Sequence, residues 1–467
     1  TGRKAPVVAL SVWYDVGSKA EPAGSTGFAH LFEHLMFNGS ENAPGDYFTY
    51  LQDIGATDEN GTTNTDRTNY FETVPTGALE RGLFLEADRM GHLLGAVTQE
   101  KLDNQRGVVQ NEKRQGDNQP FGLLRYYIFE NLTPVGHPYH HSTIGSMADL
   151  NAASLDTVQG WFRTNYGPNN AVLVLAGDVD VATARPMVER WFGSIPRGPA
   201  VVERPIDIPT LPFPLAREVT DQIATTRIFR MWTIPGWRSE EAPALDVAAS
   251  VLGGLSSSRL DNALVRDEQI AVSVSASAQT FEDLGIFIVS ADVAPGVDAS
   301  LVARRLDEVT AQFLAEGPSA DEVQRSVMSG LSSELDGLES VGGFGGKAVA
   351  LAQGQLFAGD PAYFRQQIRR FATSTPAQVR ETASRWLSRP VFSLTYRPGP
   401  RTDTGDGRGG AVSAPSIDAT TQAAFAANYF RTPSSVTERA MGGMVPLAAP
   451  KASHYNQADA PPAPGAS

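Results

Sequence analysis

Two imidazoles and a carboxylate stand at His30, Glu33 and His34, in the order His-x-x-Glu-His. On a helix, residues four apart share a face, so both rings can turn towards one metal ion with Glu33 beside them. Neutral imidazole suits zinc, and a catalytic zinc site takes three protein ligands and keeps a fourth position for water. Glu33 is then placed to accept a proton, and the chemistry is metal-assisted hydrolysis. The order inverts that of the common metalloprotease helix, His-Glu-x-x-His, which does not occur in this chain. The plain alternative is an amphipathic helix whose histidines are packed or solvated. Many acidic residues follow His34, and spacing alone does not choose a third ligand among them.

Local signals outline the elements that would position these groups. Ser25 and Thr26 offer a capping hydroxyl, the run from Phe28 to Phe37 has neither Pro nor Gly, and Gly39-Ser40 supplies a stop, which predicts a helix carrying the motif. A strand from Val7 to Val16 and a Gly17-Ser18 turn precede it. Residues 98–115 predict a second helix, with Thr98 as cap, Glu100 in its first turn and Leu102, Val108 and Val109 as apolar positions. Glu112 on that helix can be a solvated carboxylate paired with Lys113 or Arg114. Asn60 to Thr65, followed by strand-like Thr68 to Val74, reads on composition as a Thr-rich hairpin. Pro205, Pro209, Pro212 and Pro214 mark 205–215 as a linker. Beyond it, strand Thr226 to Trp232, a loop and helix Pro243 to Leu252 repeat the opening order, which suggests an internal duplication. That second helix carries no histidine. Residues 399–467, rich in Gly, Pro, Ser, Thr and Ala, read as a low-complexity tail or linker, with a short helix around Thr420 to Phe430.

The chain resembles the pitrilysin/insulinase-type inverzincin metallopeptidases. The resemblance rests on Thr26 to Gly39 after the strand and Gly-Ser turn, on Asn69-Tyr70-Phe71, on His137-Pro138-Tyr139, and on Trp161-Phe162 through Asn165-Tyr166 leading into strand Ala171 to Gly177. It extends over about residues 5–398. It implies an α+β fold of two homologous α/β-sandwich domains, each a mainly antiparallel sheet with helices packed on it, together half of a clamshell. The first, 1–204, would bind zinc and lack one N-terminal strand; the second, 216–398, would be non-catalytic. The resemblance implies one Zn2+ per chain, held by His30, His34 and Glu112, with Glu33 as general base. Gln105 stands seven residues before Glu112 where relatives carry a second glutamate, so a charge that would tune the metal is absent. Asn60, Gly61, Thr62 and Thr63 match the strand edge on which the family holds extended peptide. The family's substrate-contacting Arg and Tyr fall here on Val265 and Val272, with Arg266 one residue out of register. The expected partner is therefore a homologous Arg/Tyr-bearing subunit or a fused C-terminal half. The implied function is a zinc endopeptidase for extended or unfolded peptides; the alternative is a non-catalytic assembly or peptide-binding subunit. Bacterial relatives of this kind are often periplasmic, which sets the expected compartment.

Charge and composition exclude other classes. A formal net charge of −14 argues against nucleic-acid binding. There is no cysteine, hence no disulfide, and no apolar run approaches the roughly 18 residues that span a membrane. His137, His140 and His141 could form a second metal cluster, but Pro138 breaks any helix there. Gly342 to Lys347 lacks the spacing and hydroxyl of a phosphate loop and reads as a flexible break between helices.

Overall fold

The computed structural model describes residues 5–201 and 205–410. Strand β1 (Val7–Tyr14) is built of β-branched, aromatic and small residues and is buried at all but its first position. Its two faces meet different partners. Val8, Leu10, Val12 and Tyr14 enter a core with Phe28, Leu31, Phe32 and Leu35 of the motif helix (Phe28–Leu35). Ala9 and Trp13, on the opposite face, pack against Ala348, Val349, Ala352 and Phe357 of a helix (Lys347–Ala358) that belongs to the second half of the chain. The two halves are thus joined through the central strand that leads to the motif.

The first sheet runs β2-β3-β1-β4, with β2 (Thr57–Thr63), β3 (Thr68–Pro75) and β4 (Ala171–Gly177), all neighbours antiparallel. The second runs β5-β9-β6-β8-β7, with β5 (Leu215–Asp221), β6 (Arg227–Pro235), β7 (Ala271–Thr280), β8 (Leu284–Val293) and β9 (Phe392–Pro398); only β5 and β9 pair in parallel. Helices cover these antiparallel-rich sheets in an α+β fold. Each half repeats one order. In the first, β1, the motif helix, β2, β3, helix Leu79–His92 and helix Gln99–Asn118 follow one another. In the second, β6, helix Ala242–Ala249, β7, β8, helix Ala299–Glu316 and helix Ala320–Gly337 do the same. β2 and β7 are the matching edge strands, and β5 has no counterpart in the first sheet among the described residues.

The structure departs from the local signals at several ends. The motif helix stops at Leu35 rather than Phe37. The second-half helix is α-helical only to Ala249 and continues as a π-helical turn, Ser250–Gly254. The proline-rich stretch after 205 is anchored, because Ile208 and Leu211 are buried in the second core. The Gly342–Gly346 turn is also packed: a Cβ on Gly342 would lie 2.7 Å from both Ala9 Cβ and Thr73 Oγ1. Residues 399–410 fold back over the first half, where Arg401 donates to the carbonyls of Asp117 and Gln119 and Arg408 pairs with Glu130 and Asp403. Residues 411–467, including the helix expected around 420–430, lie outside the described residues. No described helix is long and apolar enough to cross a membrane.

Candidate metal centre

The entry to the motif helix is set by Gly27, whose φ of 92° lies in the left-handed region and whose Cβ, if present, would lie 2.8 Å from the Ile144 carbonyl oxygen. A carboxylate, rather than the predicted Ser25 or Thr26 hydroxyl, caps the helix. Glu21 accepts from the Gly27 and Ala29 N–H groups at 2.9 and 2.8 Å, and His141 Nε2 lies 3.1 Å from the same carboxylate. Negative charge here complements the helix dipole. The Thr26 hydroxyl instead donates to Asp149. On the long helix Gln99–Asn118 the Thr98 hydroxyl does accept from Lys101 N–H, at 3.2 Å.

These two helices bring His30, His34 and Glu112 together. His30 Nε2 and His34 Nε2 are 3.3 Å apart, and Glu112 Oε2 lies 3.6 and 3.4 Å from them. Ligands about 2.0–2.1 Å from a tetrahedral zinc stand about 3.3–3.4 Å apart, so the donor triangle fits that ion as it stands. Burial, with the adjacent His34 ring, pushes the His30 pKa down to about 4 and keeps its imidazole neutral, as a ligand must be. Burial pulls His34 the same way, but Glu112, Glu33 and Gln105 together outweigh it and the pKa is raised. Glu33 is buried on the same helix; burial raises its pKa, while His34, Thr63 and Arg67 favour the ionised form. Gln105 is buried against His34 and donates to Asn38 Oδ1 at 3.3 Å. The alternative partners of Glu112 are engaged elsewhere: Lys113 binds Asp117 and Tyr126, and Arg114 binds Asn111.

Asn60, Gly61, Thr62 and Thr63 lie on the edge strand β2, opposite Phe71, Tyr70, Asn69 and Thr68 of β3. Gly61 is required for close approach, since a Cβ there would lie 2.9 Å from the Phe37 ring. Arg67 Nη1 donates to Thr62 O at 2.8 Å and to Thr62 Oγ1 at 2.5 Å. The turn after β2 is held from the second half of the chain. Asp66 Oδ2 accepts from Glu282 N–H at 2.8 Å and Oδ1 from Tyr139 Oη at 2.5 Å, while Lys19 pairs with Asp66, Glu282 and Asp283. No local pattern announces this clasp, because its members are distant in the chain and none carries a motif.

His137, His140 and His141, the other candidate metal cluster, are engaged elsewhere. His137 Nε2 lies 3.0 Å from Asp207 O, His140 Nδ1 lies 2.9 Å from Thr133 O, and the three do not cluster as a metal site. Val272 is exposed on the edge strand β7, and Arg266 is engaged by Asp261 and the Ser256 carbonyl.

The family model described as insulinase, peptidase family M16, matches residues 2–136, and the model for the peptidase M16 inactive domain matches 152–329. The chain is 28% identical over 316 residues to zinc protease PqqE of Helicobacter pylori, covering 65% of this chain and 68% of that one. A protease structure from Helicobacter pylori superimposes with a TM-score of 0.77 at 23% identity, over 85% of this chain and 95% of that one. The first half of the periplasmic protease PqqL from Escherichia coli does so with a TM-score of 0.69 at 16% identity, over 91% and 92%. The metal cluster falls wholly within the stretch matched by the insulinase model, and the chain belongs to peptidase family M16, the pitrilysin/insulinase type.

Proposed function

We propose that this chain is a zinc endopeptidase that cleaves extended or unfolded peptides. The observation that carries the reading is the triangle of His30, His34 and Glu112 donor atoms beside the buried carboxylate of Glu33. One zinc per chain would be held by those three residues, and it supplies Lewis acidity, acidifying water towards a pKa of about 7 and polarising a carbonyl. Glu33 takes the proton of the attacking water and passes it to the leaving amine. Its buried Oε2 makes no hydrogen bond among the described residues, so no protein donor competes for it. Gln105 helps to orient the His34 ring without adding charge. Peptide adds as a strand along Asn60, Gly61, Thr62 and Thr63, gripped by main-chain hydrogen bonds that disregard side-chain identity.

Val265 and Val272 supply neither guanidinium nor phenol, so the reading includes a homologous Arg/Tyr-bearing subunit or a fused C-terminal half. A periplasmic location belongs to the same reading and rests on resemblance. The second reading is a non-catalytic assembly or peptide-binding subunit. The description "inactive domain" attaches to residues 152–329, outside the metal set.

Chelation is expected to abolish hydrolysis of an unstructured peptide by the chain mixed with an Arg/Tyr-bearing homologue, and added zinc to restore it. Hydrolysis that survives chelation would contradict the proposal. No hydrolysis under any of these conditions would favour the non-catalytic reading.

A further inference from the structure

The second half of the chain contains a cavity of about 670 Å³, in the range of small-ligand sites, at a telling place in the fold. It is bounded by helix Ala242–Ala249, edge strand β7 and helix Ala320–Gly337. These are the elements that correspond in order to the motif helix, β2 and the long helix of the metal centre. No histidine remains, but two carboxylates line the space, Asp246 from the first helix and Glu334 from the second.

Neither carboxylate has a hydrogen bond or ion pair within the protein among the described residues, and no Lys, Arg or His lines the cavity. The walls are otherwise mixed. Trp237, Leu331 and Phe371 offer apolar surface, and Ser326, only 1% exposed, leaves its Oγ without a hydrogen-bond partner. A buried polar atom without a partner is costly; Asp246 and Glu334 are themselves exposed to the space and give it a negative charge that no cation on its walls offsets. We propose that this cavity is a binding site for an organic cation, an ammonium or guanidinium carried on an apolar body. Such a ligand meets Asp246 and Glu334 with its charge and the Trp237, Leu331 and Phe371 surfaces with its body, and it offers the Ser326 hydroxyl an N–H or polar partner.

Proton balance supports the same site. The surrounding walls, with the charge of Glu334, raise the pKa of Asp246, and the walls raise that of Glu334 as well. A bound cation favours the ionised forms, so its binding releases protons from the pair.

The test is calorimetric titration of the full chain with agmatine, as a free small amine, and with acetyl-Leu-Arg-amide, as a peptide-borne cation; the citrulline peptide is the neutral control. At least one cation is expected to bind, with proton release seen as a buffer-dependent heat, and the neutral control is not. Asp246→Asn and Glu334→Gln, each with unchanged circular dichroism, should weaken binding by roughly tenfold or more. Binding only of agmatine would assign the site to free amines; binding only of the peptide would assign it to basic side chains. Glu112→Gln should leave the binding intact, which separates this site from the metal centre. Equal binding of the citrulline peptide, failure of both cations to bind, or unweakened binding in both carboxamide variants would overturn the proposal.

Discussion

Glu33→Gln is expected to purify with about one zinc per chain, like the wild type, and to cleave peptide about 10²- to 10⁴-fold more slowly, the usual worth of a positioned acid or base. The substitution is nearly isosteric in a buried position, so the packing around the motif helix should persist. The proposed metal ligands are untouched: His30, His34 and Glu112 keep their 3.3, 3.4 and 3.6 Å spacing without help from Glu33. What is removed is a buried carboxylate whose Oε2 has no hydrogen-bond partner among the described residues. An effect divided in this way, between metal content and rate, identifies a base. Loss of zinc together with activity would instead make Glu33 a structural or ligating residue, and unchanged turnover would remove it from the mechanism.

Arg89→Leu is expected to destabilise the first half by about 3–5 kcal/mol, the cost of leaving a buried charge without its partner. Arg89 is 1% exposed and donates from Nε to Glu86 Oε2 at 2.9 Å, with a second contact from Nη2. Its guanidinium carbon lies 4.2 and 4.1 Å from the Tyr47 and Tyr70 ring centres. Glu86 and Glu72 are both buried beside it, and burial, with the charge of Glu86, holds the Glu72 carboxyl far above its usual range. Leucine fills part of the space but leaves Glu86 uncompensated. The damage would reach the site, because Tyr70 packs on Phe37 just past the motif helix and Gly61 packs against the same ring. Thermal unfolding should show a midpoint lower by roughly 10 °C at this chain size. A change under about 1 kcal/mol would mean that the pair contributes little beyond its packing.

What the sequence disclosed follows from the range of the interactions involved. His30, Glu33 and His34 were legible because one helix sets their geometry, and helix period is a local property. Thr98 as cap of the long helix was legible for the same reason. Glu112 was not: its approach to His34 depends on how two helices pack, and only the family resemblance singled it out from the other acids. The motif-helix cap departs from the local signal for a related reason. A hydroxyl at Ser25 or Thr26 is the local solution, whereas Gly27 with its positive φ turns the backbone so that Glu21 supplies the acceptor, backed by His141 from far along the chain. The clasp of Lys19, Asp66, Tyr139, Glu282 and Asp283 and the Asp246–Glu334 cavity had no sequence signal, since each is assembled from residues on separate elements. The packing of residues 399–410 was hidden by composition: Gly and Pro dominate the stretch, yet Arg401 and Arg408 tie it to the first half.

The most direct test of the metal centre is elemental zinc per chain after dialysis, wild type against Glu112→Gln. About one zinc in the wild type and much less in the variant is the predicted result, because the substitution removes the charged ligand that closes the triangle with His30 and His34. Equal zinc in both, or none in either, would contradict a centre built on these three residues.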